Sequence, residues 1–226
     1  MNQSGCGMKV NTDGVLLGAL AQSDKQASVL DIGAGTGVIS LMLAQRFSEA
    51  QIDAVEIDEQ AAQTAQANFK NSKFDKRLKL FSTSFQLFSN AYPEKKYDLI
   101  ISNPPFFTDS LKNPDKQKQL ARHTDVGLFG DLIQFCNQHL QANGVCYLIL
   151  PLKAAKQVIE EGLKSRLHLQ QVISISSSYK KQAHRQIIRL GFTNERLQDE
   201  SFIIYESEKV YTDEYKNALK DFLTIF

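Results

Sequence analysis

Residues 29–37 read Val-Leu-Asp-Ile-Gly-Ala-Gly-Thr-Gly, an apolar run that ends in a turn with glycine at every second position. The apolar residues of the next segment, 38–44, recur at helical spacing, so the sequence predicts a strand, a tight turn and a helix. Glycines in such a turn permit positive φ and let the backbone approach a bulky ligand without a Cβ clash. The stretch therefore predicts an α/β fold with a ligand site between its first strand and the helix that follows.

The spacing of these glycines argues against a dinucleotide site. The nicotinamide-binding pattern Gly-x-Gly-x-x-Gly would place its third glycine at Val38, whereas the chain has Gly37. The acid that opens the turn, Asp31, would repel a pyrophosphate and suits a cationic amino-acid group. Together with Gly33 and Gly35, the stretch resembles the cofactor loop of S-adenosylmethionine-dependent methyltransferases.

The composition is typical of one globular domain, with 226 residues, 42% hydrophobic and 23% charged. No apolar run reaches the roughly 20 residues of a membrane helix, and no secretory leader opens the chain. The three cysteines have neither metal spacing nor an even number, which favours a reducing cytoplasm. We expect a cytoplasmic, monomeric, single-domain protein. Its parts would be an N-terminal strap and helix (1–26), a cofactor-binding core (27–151) and C-terminal strands and helices (152–226).

The net charge of +1 conceals an uneven distribution. Residues 112–189 contain twelve Lys and Arg against five Asp and Glu, together with all four histidines. This basic block is a candidate phosphate-facing surface, although a lysine-rich solvated face gives the same pattern. The histidines lack metal-ligand spacing, so we expect no metal site.

Strand-like and helix-like segments alternate after the glycine turn. Strands are predicted at 52–57, 78–81, 97–102 and 145–150, helices at 59–71, 128–140, 154–167 and 211–226, a terminal antiparallel pair at 172–176 and 187–192, and a short edge strand at 202–205. Such alternation predicts a Rossmann-like class I methyltransferase fold, with a seven-stranded, mostly parallel sheet and helices on both faces. Ligands of such sheets bind beyond the carboxyl ends of the strands.

An acid ends the second predicted strand, in Val55-Glu56-Ile57-Asp58. A carboxylate at that position can accept hydrogen bonds from both ribose hydroxyls of a nucleoside. A lone acid there would more often be a surface charge, but its place after this glycine turn favours Glu56 as a ribose ligand. Asp58 is predicted to cap the next helix.

The fourth strand runs into Asn103-Pro104-Pro105-Phe106-Phe107. The prolines end the strand because they lack an N–H group and fix φ. A purely structural interpretation, a proline-terminated strand over two phenylalanines, leaves the polar Asn103 at the cleft unexplained. The side-chain oxygen of Asn103 and the carbonyl of Pro104 are both acceptors, so they can hold the two hydrogens of an exocyclic amine. That arrangement would aim the nitrogen lone pair at a sulfonium methyl, with Pro105 stiffening the turn and Phe106 stacking on the base.

The combination of Asp-Ile-Gly-Ala-Gly-Thr-Gly and Asn-Pro-Pro-Phe resembles the amino-methyltransferases, which act on adenine, guanine or glutamine amide nitrogen. The preceding Met-Lys-Val-Asn-Thr-Asp-Gly (8–14), with Ala-Arg-His at 121–123 and 183–185 reading Ala-His-Arg, is similar to the bacterial tRNA(Val) adenine N6-methyltransferase family. That family methylates the adenosine just 3′ of the anticodon, position 37. The resemblance covers nearly the whole chain.

The resemblance implies S-adenosylmethionine as cofactor and tRNA as substrate. Cofactor contacts would come from the strap, the glycine turn and the strand ends: Lys9, Asp13, Asp31, Gly33, Gly35, Gly37, Glu56 and Asn103. Family members usually carry an acid beside the cofactor's adenine amine. This chain has Ser84 there, which can accept one hydrogen bond but brings no charge. The base would be held by Asn103, Pro104, Pro105 and Phe106.

Two basic clusters are candidates for binding the rest of the RNA. The polar loop 108–124 after the catalytic turn includes Arg122, which could hold a phosphate or the loop itself. Lys180, Lys181 and Arg185 lie between the last two predicted strands. We expect these three residues, with Arg122 and the aromatic Phe106 and Phe107, to contact substrate.

Other functions remain open at this point. The same acceptor pair could hold the amine of ribosomal RNA guanine, DNA adenine or protein glutamine. The glutamine enzymes usually carry an N-terminal recognition domain and a tyrosine in place of Phe106. A non-catalytic RNA-binding module would bind cofactor without turnover and would not need an intact Asn-Pro-Pro-Phe motif.

Overall fold

The structure is a computed structural model that describes residues 11–23, 27–105 and 126–224. Its centre is a nine-stranded sheet with the strand order β3-β2-β1-β4-β5-β7-β6-β8-β9. The strands are β1 (Ser28–Ile32), β2 (Gln51–Glu56), β3 (Leu78–Ser82), β4 (Tyr97–Ser102), β5 (Leu140–Leu150), β6 (His168–Ser178), β7 (Arg185–Gly191), β8 (Gln198–Ser207) and β9 (Val210–Tyr211). Strands β1 to β5 are parallel, β7 is antiparallel to both of its neighbours, and β8 runs parallel to β6.

Seven α-helices within the described residues cover the two faces of the sheet. They are α1 (Thr12–Leu20), α2 (Val38–Arg46), α3 (Glu59–Lys70), α4 (Phe85–Ala91), α5 (Val126–His139), α6 (Leu152–Lys164) and α7 (Asp213–Leu219). Apolar residues of α1, α2, α3 and α7 pack on one face, and those of α4, α5 and α6 pack on the other. No described helix is long and apolar enough to cross a membrane.

The central strands are buried on both sides, which is why their sequences are continuous apolar runs. In β1, Val29 packs into one core and Leu30 into the other, and both are fully buried. In β4, Leu99 and Ile100 divide in the same way. A strand with both faces covered has no solvent side, so it lacks the alternation of a half-exposed strand.

Side-chain caps fix where several of the helices begin. Asn11 accepts a 2.8 Å hydrogen bond from Gly14 N at the start of α1. Asp58 accepts one from Ala61 N at the start of α3, as the sequence predicts. Thr212 caps α7 by accepting from Tyr215 N. Each cap therefore determines the residue at which its helix begins.

The α/β class I methyltransferase fold is confirmed, but the prediction of seven strands is wrong. The segment expected as a short edge strand at 202–205 is the ten-residue β8, and β9 follows it as a hairpin. Helix α4 was not expected, because its seven residues are too few for a clear helical period. The closing helix α7 spans 213–219 and is shorter than the predicted 211–226.

The strand directions bring several chain turns to one edge of the sheet. The parallel strands β1 to β4 all end at that edge, and register pairs Ile32 at the end of β1 with Val55 in β2 and Ser102 in β4. The antiparallel β7 begins at the same edge, opposite Leu150 at the end of β5. We call this the carboxyl edge, and the candidate site lies along it.

Candidate active site

The glycine turn after β1 is held by backbone hydrogen bonds and faces open space. The amides of Gly33 and Ala34 both donate to the carbonyl of Val55, at 2.8 and 3.1 Å. Gly33 and Gly35 have φ of +72° and +57°. A Cβ added to either would meet no described atom within 4 Å. The turn is therefore a fixed backbone cradle whose glycines leave room for a ligand.

Gly37, which is predicted to contact the cofactor, packs closely against a neighbouring helix. It is buried, has φ +83° and is the N-terminal cap of α2. A Cβ there would lie 2.4 Å from Cε1 of Phe69, so the ring of Phe69 already occupies that space. The third glycine joins α2 closely to α3 and does not open onto the cleft.

Asp31, which is predicted to contact the cofactor, lies beneath the turn. Its side chain is fully buried, and its Oδ2 accepts from Ser40 N (3.1 Å) and Ser40 Oγ (2.6 Å). Its Oδ1 is buried and accepts no hydrogen bond from any residue that the structure describes. Burial raises the pKa of Asp31 to about 7, although the bonds from Ser40 oppose the shift. Asp31 holds the first turn of α2 against β1 and acts on the cleft through that helix.

Glu56 connects the end of β2 to the glycine turn. Its Oε2 accepts a 2.7 Å hydrogen bond from Gly35 N, and its Oε1 accepts a 2.8 Å bond from Asp58 N. A carboxylate has about four acceptor positions, so each oxygen retains one for a ribose hydroxyl. The same residue can therefore fix the cradle and hold a ribose in front of it.

Next to the glycine turn, the carboxyl edge contains a largely apolar cavity of about 210 Å³. Its wall includes Ile32, Val55, Ile57, Leu128, Leu132 and Pro104. Ile57 is 74% exposed although it follows a buried strand. An exposed branched apolar side chain beside Glu56, the acid predicted to bind a ribose, suits the face of a flat aromatic base. Sequence reasoning missed Ile57, whose place directly after Glu56 was the available signal.

Ser84 lies at the rim of this cavity, and its hydroxyl already has a structural partner. Its Oγ accepts a 3.2 Å hydrogen bond from Leu87 N and so caps α4. The hydroxyl can still donate to a ring nitrogen or accept one bond from an amine. Thr83 lies beside it on the same wall.

The end of β4 is tied to the end of β1 by a side chain that the sequence reasoning did not single out. Ser102 is fully buried, and its Oγ donates a 2.7 Å hydrogen bond to the carbonyl of Ile32. Asn103 follows Ser102, and Gly33 follows Ile32. The bond therefore fixes the Asn-Pro-Pro turn in register with the glycine turn, one strand spacing (about 4.8 Å) away.

Pro104 and Pro105 line the cavity, and Asn103 directly precedes them in the chain. Asn103 is half-buried, Pro104 is buried and Pro105 is exposed. The first turn of α1 packs beside Asn103: a Cβ on Gly14 would lie 3.8 Å from Asn103 Nδ2. The predicted strap helix thus forms one wall of the site.

Two residues predicted for separate roles are paired with each other. Asp13, expected to bind the cofactor, accepts a 2.8 Å hydrogen bond at Oδ2 from Nε of Arg185, which was expected to bind RNA. The pair joins α1 to β7, and the predicted contacts of Asp13 with the cofactor and of Arg185 with RNA stay predictions. Lys180 and Lys181, by contrast, are exposed at the β6–β7 turn. Lys9, Phe106, Phe107 and Arg122 lie outside the described residues.

Among the described histidines, His139 is buried, His168 is half-buried and His184 is exposed. His139 contacts the carbonyl of Lys95 through Nδ1 at 2.8 Å and stacks on Phe135. Burial lowers its pKa. Within residues 11–23, 27–105 and 126–224, no group of three His, Cys, Asp or Glu side chains is placed to hold a metal ion.

The chain is similar to known proteins over most of its length. Residues 11–180 match the family model of the methyltransferase small domain. A tRNA1(Val) (adenine(37)-N6)-methyltransferase of Pedobacter heparinus is 46% identical over 226 residues, covering all of this chain and 95% of that protein. The enzyme of the same name from Bacteroides fragilis is 37% identical over 217 residues, covering 96% and 91%.

The fold has a solved counterpart at low sequence identity. The crystal structure of a predicted O-methyltransferase from Agrobacterium tumefaciens superposes with a TM-score of 0.75 at 20% identity. The match covers 92% of this chain and 96% of that one. It shows that the fold is shared by proteins whose sequences have diverged widely.

The doubly covered sheet, the open glycine cradle and the Asn-Pro-Pro turn beside it define a class I methyltransferase, a class that uses S-adenosylmethionine. The family match and the full-length relatives then narrow the class. The chain belongs to the tRNA1(Val) (adenine(37)-N6)-methyltransferase family, within the methyltransferase small domain proteins.

Proposed function

We propose that this protein transfers a methyl group from S-adenosylmethionine to the N6 amine of adenosine 37 in tRNA1(Val). The observation that carries the proposal is the Ser102–Ile32 bond, which keeps the Asn-Pro-Pro turn and the glycine turn side by side. A site for the methyl donor and a site for an amine are thereby held at one edge of the sheet. The names of the full-length relatives supply the RNA and the position.

The donor fits residues of the glycine turn and the end of β2. Gly33 and Gly35 leave space in front of the backbone. The free acceptor positions of Glu56 suit the two ribose hydroxyls, and the side chain of Ile57 suits one face of the adenine ring. When bound there, S-adenosylmethionine supplies a methyl group on a positively charged sulfur, which an amine nitrogen can attack.

The chain's part in the reaction is to position the amine. The Asn103 side-chain oxygen and the Pro104 carbonyl accept the two N–H bonds of the adenine amine. This holds the nitrogen lone pair away from the ring and toward the methyl carbon. After methylation, the same two acceptors would pass the surplus proton of the amine nitrogen to water. Positioning and a partly dry pocket account for the rate, without a general base.

Other features of the proposal concern the chain as a whole. Asn103, Pro104, Pro105 and Phe106 would act on the base, with Phe106 stacking on it, and Lys9 and Ser84 would complete the donor site. The chain would work as one methyltransferase domain, as a monomer and in the cytoplasm. The continuous sheet from β3 to β9 supports a single domain, because all nine described strands belong to it.

Labelled S-adenosylmethionine with purified tRNA, ribosomal RNA and DNA in parallel tests the substrate class. We expect label in tRNA only, recovered by nucleoside mass spectrometry as N6-methyladenosine. A tRNA1(Val) transcript with guanosine at position 37 is the matched control and should take up no label. Label in ribosomal RNA or DNA alone, or a methylated guanine, would overturn the proposal.

A further inference from the structure

A groove of about 800 Å³ lies between the β6–β7 and β8–β9 turns, away from the cavity at the glycine turn. We infer that this groove is a second RNA-binding site, which binds a nucleobase and adjoining phosphates of the same tRNA arm that presents the target adenine. The inference rests on the proposed function, because it names the part of the enzyme that holds the remainder of that substrate.

Sheet register places the groove beyond the carboxyl edge, on the side where substrate must enter. Ser102 pairs with Leu148, so Asn103 is level with Ile149, which pairs through Ile187 with Ile173 of β6. Strand β6 continues five residues further, to Ser178, or roughly 16 Å at 3.3 Å per residue. From β4 to β6 the sheet crosses three strand spacings, by way of β5 and β7, which adds roughly 14 Å at right angles to the strands.

The groove is therefore about 20 Å from Asn103, on an arm that stands above the active site. Strand β8 runs parallel to β6 and extends with it, with Ser178 opposite Tyr205. At about 3.4 Å per stacked nucleotide, 20 Å corresponds to about six nucleotides. A ligand in the groove would thus belong to the same loop as the target base, or to the stem beside it.

Tyr179 gives the groove an aromatic surface with no evident structural purpose. It is 68% exposed, at the second position of a turn closed by Lys181 N donating to the carbonyl of Ser178. Tyr205 lies on the opposite wall, where one of its faces stacks on Tyr211 with ring centroids 4.9 Å apart. An exposed ring opposite a rigidly held ring suits a flat base, and base–aromatic stacking does not require a particular base.

The charges around the two rings suit an RNA backbone at one wall only. Lys180 and Lys181 directly follow Tyr179, and Lys209 lies at the tip of the opposite turn. Glu206 and Glu208 also line the groove, on the β8–β9 side. A phosphate would therefore contact the β6–β7 turn, and the acids would face base edges, whose amino groups are donors. Tyr179 and the two lysines after it thus supply a stacking ring and phosphate partners within one turn.

Tyr179→Ala separates this site from the catalytic one. We expect its Kd for the tRNA1(Val) transcript, measured by filter binding, to rise about tenfold, and Tyr179→Phe to bind as tightly as the parent. S-adenosylmethionine affinity and the melting temperature should be unchanged for both, because Tyr179 is exposed and far from the glycine turn. With saturating tRNA, kcat should also be unchanged, so the loss appears in KM.

Charge reversal supplies a second, matched comparison. Lys180→Glu with Lys181→Glu should lower tRNA affinity and flatten its salt dependence. Lys70→Glu with Lys76→Glu makes the same change of charge at exposed positions just before β3, the outer strand on the other side of the sheet. This control should lower tRNA affinity much less. If Tyr179→Ala or the Lys180/Lys181 pair binds and methylates tRNA like the parent, the inference is wrong while the proposed function stands. If the parent protein methylates no tRNA at all, the proposed function itself has failed.

Discussion

The carboxylate of Asp13 and the guanidinium of Arg185 form a 2.8 Å ion pair between residues 172 positions apart in the chain. Asp13 lies in the first turn of α1, which packs beside Asn103, and Arg185 begins β7 below the β6–β7 turn. The pair thus joins the wall of the catalytic site to the arm that carries Tyr179. Each side chain is only about a quarter exposed, so solvent screens the pair less than it screens a surface pair.

Asp13→Asn and Arg185→Gln should each lower the free energy of unfolding by about 1 kcal/mol, because each removes one charge of a partly buried ion pair. The double variant should lose less than the sum of the two. Urea unfolding of the four proteins measures this coupling. Additive losses would show that the two charges do not stabilise each other.

The glycines of the turn should respond differently to alanine. Gly37→Ala should cost about 3 kcal/mol, since the new Cβ would meet Phe69 at 2.4 Å in a left-handed backbone. Gly35→Ala should cost only about 1 kcal/mol of stability, from its positive φ, but should weaken S-adenosylmethionine binding by filling the open cradle. Thermal melting and calorimetric titration of both variants separate the two effects. Equal losses of stability would contradict the assignment of Gly37 to packing.

The buried Asp31 predicts a pH dependence of stability. Its folded pKa of about 7 lies above the unfolded value of 3.8, so the folded state binds the proton more tightly. The stability that this group contributes is complete below pH 4 and is lost as the pH rises through 7, by at most about 4 kcal/mol. Asp31→Asn should remove that slope while keeping an oxygen for Ser40. Urea unfolding of the parent and of Asp31→Asn, from pH 4 to 8, measures the free energy of unfolding at each pH. If this free energy changes with pH in the same way for both proteins, the raised pKa of Asp31 is refuted.

Ser102→Ala tests whether the two turns need their shared register. Loss of the bond to the Ile32 carbonyl should cost about 1–2 kcal/mol of stability and lower kcat at least tenfold. Ser28→Ala is the matched control, because Ser28 bonds Asp98 between the same two strands at their opposite ends. That variant should lose similar stability and retain kcat. Equal kcat in the two variants would show that the Ser102 bond does not position the site.

Much of this fold could be predicted because its signals are local. The apolar run 29–32, the glycine turn and the Asn-Pro-Pro turn each specify their own backbone, and strand alternation brings their ends to one edge. What a residue touches across the fold is not a local property. Asp31 and Gly37 belong to a cofactor motif, yet packing against Ser40 and Phe69 places them behind the turn.

The remaining differences between the sequence predictions and the structure arise from contacts between residues far apart in the chain. Arg185 stands in a basic cluster, but only the folded chain brings it to Asp13. Ser102 is an ordinary strand residue until β4 pairs with β1. The length of β8 depends on its pairing with β6, since its first residues are exposed and polar and carry little strand signal.

Asn103→Ala, measured for both binding and turnover, is the most direct test of the central claim that the chain clamps an amine beside a methyl donor. The account predicts S-adenosylmethionine affinity within a few-fold of the parent and tRNA methylation at least roughly 100-fold slower, because the variant removes an acceptor needed only at the reacting nitrogen. Methylation at the parent's rate, with tRNA and cofactor bound normally, would contradict it.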